Sequence, residues 1–92
     1  MLPLKNAMPR VLTEIVRKSP LSPGKVEFAW SMAVGPAVQR NTAIRLEQGL
    51  LIIEAASRQW GDEVKRSSRV IMARLQAMLG EEAVRKMEVR TR

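Results

Sequence analysis

This 92-residue chain contains no cysteine, no histidine and no tyrosine, and it has a single phenylalanine. Each absence removes a class of function. Without cysteine there is no disulfide framework and no thiolate metal site. Without histidine as well, the usual general bases, covalent nucleophiles and zinc ligands are missing. Carboxylates and lysines remain, but they form no constellation of the kind a catalytic site needs. The expectation is a protein that is not an enzyme and carries no metal or cofactor. The shortage of aromatic residues also argues against an exposed platform that reads bases by stacking. The longest unbroken apolar runs are four residues, Leu50 to Ile53 and Val70 to Ala73. Neither is long enough to span a bilayer, and the amino end lacks the apolar stretch of a signal peptide. No membrane contact and a cytoplasmic location are expected.

What is present is an ordinary globular composition, 46% apolar and 27% charged. Its length suits one domain over residues 1–92 with a compact core. Sixteen Lys and Arg stand against nine acids, a net charge of +7. A field of that sign favours phosphate polymers, anionic lipid or an acidic protein face, and says nothing about fold. Concentrated in so small a domain, it is the electrostatic footprint expected of a nucleic-acid binder.

Apolar residues at 8, 11, 12, 15 and 16 predict an amphipathic helix, closed by Ser19 and Pro20. Ser22 reads as the N-cap of a second helix, with Pro23 at its first position. Val26, Ala29, Trp30, Ala33 and Val34 form that helix's buried stripe, and Gly35 with Pro36 stops it. Ile44 and Leu46 alternate with Arg45 and Glu47, the pattern of a half-buried strand. Gln48–Gly49 is a hairpin turn. The run from Leu50 onward, "LLIIEAAS", is apolar on both faces, so it is expected to lie centrally or to be covered on both sides.

Ser57 reads as another N-cap. Trp60, Val64, Ser67, Ile71, Leu75 and Met78 recur at steps of four, three, four, four and three. That spacing predicts one long helix ending at Gly80, with Trp60 as a core anchor rather than a stacking platform. On the same helix Arg58, Lys65 and Arg69 fall on one line away from Trp60, with Arg66 flanking it and Asp62 interrupting it. The line is either a phosphate-facing ridge or a solvated face with internal ion pairs. Met87 and Val89 point inward from a last strand, while Lys86, Glu88, Arg90 and Arg92 alternate outward. The outward row either binds anions or protects a sheet edge from aggregation.

The resulting class is α+β, in the order α-α-β-β-α-β, with a three-stranded sheet and helices packed on one face. This order resembles a type II KH-like module. Four stretches, "WSMAVGP", "NTAIRLEQGLLII", "SRQWGDEV" and "RLQAMLG", resemble in sequence and order the DciA family of bacterial replicative-helicase loaders. The resemblance runs over residues 5–92. It implies a KH-like fold, DNA as a ligand and the DnaB-type helicase as a partner. In that family, loaders carry an extension beyond the KH-like domain that contacts DNA and helicase. The glycine-x-x-glycine loop with which KH domains clamp a nucleic-acid backbone is absent, since Gly24, Gly35, Gly49, Gly61 and Gly80 never fall at that spacing.

The expectation that follows is a monomeric, non-enzymatic adaptor. It would hold single-stranded or forked DNA, with weak sequence preference, through Arg58, Lys65, Arg66, Arg69, Lys86, Arg90 and Arg92. Two alternatives stand beside it. One is a protein-interaction module whose basic surface meets an acidic partner, anchored by Phe28 and Met32. The other is association with RNA or the ribosome.

Overall fold

The computed structural model describes residues 21–92; the helix expected over Met8 to Val16 lies outside the described residues. Ser22 caps the first helix as its position suggested, its Oγ accepting a hydrogen bond from the Lys25 N–H at 3.2 Å. That helix, α1, is Pro23–Val34, with Pro23 in its first turn where no intrahelical donor is needed. It buries Val26, Ala29, Trp30 and Ala33, four of the five stripe positions read from the sequence, while Val34 is only partly buried against the core. Gly35 ends it at a φ of 85°, but Pro36 then opens a short helix, α2, Pro36–Arg40, that periodicity did not foresee.

Strands β1 (Thr42–Glu47) and β2 (Leu50–Ala55) pair antiparallel. Gln48 and Gly49 join them with positive φ at both positions, 49° and 84°, the combination that suits the right-handed twist of a tight hairpin. The last strand, β3 (Lys86–Thr91), runs parallel to β2 on its other side. The sheet order is therefore β1-β2-β3, with the doubly apolar strand in the centre. Leu51, Ile53 and Ala55 face the helices and are almost wholly buried. Ile52 points the other way, between Arg45 and Glu88 in register, and is also buried.

The one long helix predicted after Ser57 is two. Helix α3 is Arg58–Arg66 and α4 is Ser68–Leu79, with a break at Ser67. There the Ser67 N–H divides itself between the carbonyls of Glu63 and Val64, at 3.3 and 3.2 Å. The break lets each half follow a different surface. Helix α3 lies on β2 and β3, whereas α4 packs mainly on α1. Arg74 reinforces the second contact by donating from Nη1 to the Ala33 carbonyl at 2.9 Å, a cation at the carboxyl end of α1. Gln76 Nε2 donates to the Val84 carbonyl and ties α4 to the approach of β3.

The break also corrects the predicted stripe. Val64, Ile71, Leu75 and Met78 are buried, but Ser67 is exposed and Trp60 is only half-buried, outside the core cluster. Trp30 is the core indole instead, 1% exposed. Its Nε1 donates to Thr42 Oγ1 at 3.0 Å, and that hydroxyl donates onward to the Val38 carbonyl at 2.8 Å. No buried side-chain polar atom among the described residues lacks a partner.

Helix α3 approaches the sheet at Gly61. A Cβ there would stand 3.5 Å from Thr91 Oγ1, 3.6 Å from Val89 Cγ1 and 3.7 Å from Ala55 Cβ. These are ordinary contact distances, so alanine fits where a longer side chain would lift the helix. Gly61→Ala should raise stability by about 0.5–1 kcal/mol through helix propensity, read as a higher urea midpoint. A lower midpoint would show that α3 is seated more tightly than these distances describe.

Candidate nucleic-acid interface

The seven cations nominated from the sequence do not form one surface. Side chains alternate along β3, and Val89 and Thr91 lie against Gly61 of α3. Lys86 and Arg90 therefore face away from the helices. Arg58, Lys65, Arg66 and Arg69 belong to the helical layer. The outer edge of β3 is where the two groups come nearest each other.

The far face of the sheet is close to neutral. In register, Lys86 lies beside Leu50, with Glu47 one strand further, Glu88 beside Ile52, with Arg45 one strand further, and Arg90 beside Glu54. Three cations thus meet three carboxylates. Two ion pairs form among them, Arg45 with Glu47 at 2.9 Å and Arg90 with Glu88. The outward basic row seen along the chain is offset by Glu88 within β3 itself and by Glu54 of β2 beside Arg90.

The helical group keeps its charge. Arg58 opens α3 just after the Ser57 cap, whose Oγ accepts the Trp60 N–H at 3.3 Å. Arg58 and Lys65 stand three residues before and four after Gly61, so both share the helix face that Gly61 turns toward β3. Arg69, in the first turn of α4, lines a groove with Met72, Gln76 and Met87. All three are exposed. Among the described residues Arg58, Lys65, Arg69, Lys86 and Arg92 make no ion pair, whereas Arg66 is held by Glu63 at 2.9 Å. Arg92 joins the same end of the sheet, its N–H donating to the Ala55 carbonyl at 3.0 Å, close to where α3 begins.

Arg85 stands outside the alternating row, which begins with β3 at Lys86. It is exposed beside the hairpin, its N–H donating to the Gly49 carbonyl at 2.7 Å. Adjacency to Lys86 was the available signal. On the opposite side of α3, Trp60 lines a second groove with Ala37, Val38, Asp62, Glu63 and Arg66. Two carboxylates against one guanidinium, itself engaged with Glu63, leave that groove unfavourable for phosphate. Half-exposure alone does not make Trp60 a base platform. Of the apolar anchors nominated for a protein partner, Phe28 is 40% exposed, while Met32 packs against the core.

The arrangement offers fixed positive charge and hydrogen-bond donors. Residues 3–89 match the family model described as Dna[CI] antecedent, DciA. No curated protein matches the chain. The family match spans all the described helices, the β1–β2 hairpin and most of β3. With so much of its length matched, the chain belongs to the DciA family, the family of loaders of the DnaB-type replicative helicase.

Proposed function

We propose that this protein is a non-enzymatic adaptor that holds single-stranded or forked DNA while the replicative helicase is placed on it. The observation that carries the reading is the uncompensated trio Arg58, Lys65 and Arg69 beside the β3 edge. Lysine and arginine side chains on a helix face suit phosphate oxygens and carry little sequence information, so the expected preference among sequences is weak. Of the other nominated residues, Arg92 and Lys86 extend the same margin, while Arg66 and Arg90 spend part of their charge on Glu63 and Glu88. The role is positional. The protein meets the helicase, presents the strand and departs, and no glycine-rich lysine loop in its sequence equips it to hydrolyse a nucleotide.

The test is fluorescence anisotropy of labelled single-stranded, duplex and forked DNA across a salt series. Three phosphate contacts to a single strand predict a log affinity that falls against log salt with a slope of about −2. Failure to bind any of the three DNAs at low salt would defeat this reading. Tighter binding to structured RNA than to every DNA would move the assignment to RNA association.

A further inference from the structure

Among the described residues β3 has a neighbouring strand on one side only. The Lys86 N–H donates to the Gly49 carbonyl at 3.1 Å and the Arg92 N–H to the Ala55 carbonyl at 3.0 Å. In a parallel ladder both polar groups of a residue point toward the same neighbour, so the even-numbered positions of β3 turn to β2. Met87, Val89 and Thr91 consequently present their N–H and C=O groups to the outside. Three donors and three acceptors in an extended row are a template for one more strand.

Two further features sit beside that row. Arg58, Lys65 and Arg69 flank it from the helical layer, and Lys86 and Arg92 are near it without carboxylate partners among the described residues. Next to Met87 lies a groove of about 560 Å³, lined by Ser68, Arg69, Met72, Ala73 and Gln76. An added strand would turn every second side chain to the helical face, where one could enter that groove and those two residues away could reach the cations.

We propose that the outer edge of β3 is a strand-addition site for an acidic, extended segment of a partner protein, with an apolar side chain seated in the groove beside Met87. Charge selects this occupant. A second copy of the chain would set the same cations against one another, which disfavours edge-to-edge pairing. A nucleic acid neutralises cations but does not offer the alternating amides and carbonyls that the exposed backbone row matches. The other sheet edge is a poorer host. The Ala56 N–H donates to the Asn41 carbonyl at 2.8 Å, so by alternation Thr42, Ile44 and Leu46 turn outward from β1. Their surroundings include Glu27, and Arg45 is engaged with Glu47. The inference goes beyond DNA binding, because it rests on the β3 main chain and holds whether or not DNA binds.

The experiment is residue-resolved amide exchange by NMR on the full chain, with a short capped peptide of glutamates carrying one central valine as the probe. In the free protein the amides of Glu88 and Arg90 should exchange slowly and those of Met87, Val89 and Thr91 quickly. Saturating peptide should slow the latter three by about tenfold or more. A version of the peptide N-methylated at every residue keeps the charge and removes all of the strand's donors, and it should give no protection. Unchanged exchange at the three amides, equal protection by the N-methylated peptide, or protection confined to Thr42, Ile44 and Leu46 would each overturn the proposal. Loss or absence of DNA binding in the anisotropy series leaves this readout unaffected, so the two readings fail separately.

Discussion

Trp30→Ala should cost about 3–5 kcal/mol, a large share of the total stability of a domain this size. The indole is 1% exposed and packs in the core cluster where α1 meets β1 and α4. Its loss removes a large apolar area, opens a cavity and strands Thr42 Oγ1 without the donor it accepts from at 3.0 Å. Trp60→Ala, at a half-buried site outside that cluster, should cost on the order of 1 kcal/mol. Urea denaturation of the two variants side by side measures the contrast. The stripe along the sequence alone would make both tryptophans core anchors and the two losses alike. Equal losses would mean that α3 sits deeper than described.

The second large effect concerns binding. Reversing Arg58, Lys65 and Arg69 to glutamate together should lower affinity for single-stranded DNA on the order of a hundredfold at moderate salt, and flatten the salt slope by about two. The fold should survive this change. Arg58 and Arg69 lie in the first turns of α3 and α4, where a carboxylate is favoured over a cation by the helix dipole. Lys65 is near the carboxyl end of α3, so its reversal costs about 0.3–1 kcal/mol, offset by the other two. The informative control reverses Lys86 and Arg90. Glu88 of β3 and Glu54 of β2 already offset Arg90 on the far face, so that double variant should lose only about threefold. Anisotropy at one fixed salt concentration ranks the variants. If the far-face pair matters more than the helical trio, the DNA path has been assigned to the wrong side of β3.

Local rules carried the elements well. Ser22 and Ser57 were legible as caps because a hydroxyl just before a helix satisfies an otherwise orphaned N–H, and both do so here. The Gln48–Gly49 turn and the alternation of β1 followed from equally local constraints. So did the central place of β2, whose apolar residues on both faces suit no edge. The break at Ser67 was not legible. Helical spacing continues through it with Val64 and Ile71 both inward, and only the differing contacts of α3 and α4 require the axis to change. Trp60 was misplaced for the same reason. A stripe drawn through an uninterrupted helix assigns its first member the burial of the rest.

The candidate site divided along the same line. Net charge and the spacing of Arg58, Lys65 and Arg69 belong to the sequence by itself, because side-chain direction on one helix depends only on its pitch. The DciA family is written there too, in stretches that mark caps, turns and core positions. Which cations keep their field was decided by tertiary structure. Strand pairing brings Glu54, more than thirty positions away, alongside Arg90, while the trio on the helices meets no acid partner among the described residues. The exposed backbone row of β3 is likewise a product of sheet order. A strand's own sequence specifies which side chains share a face, but only its neighbours determine which of its amides remain free.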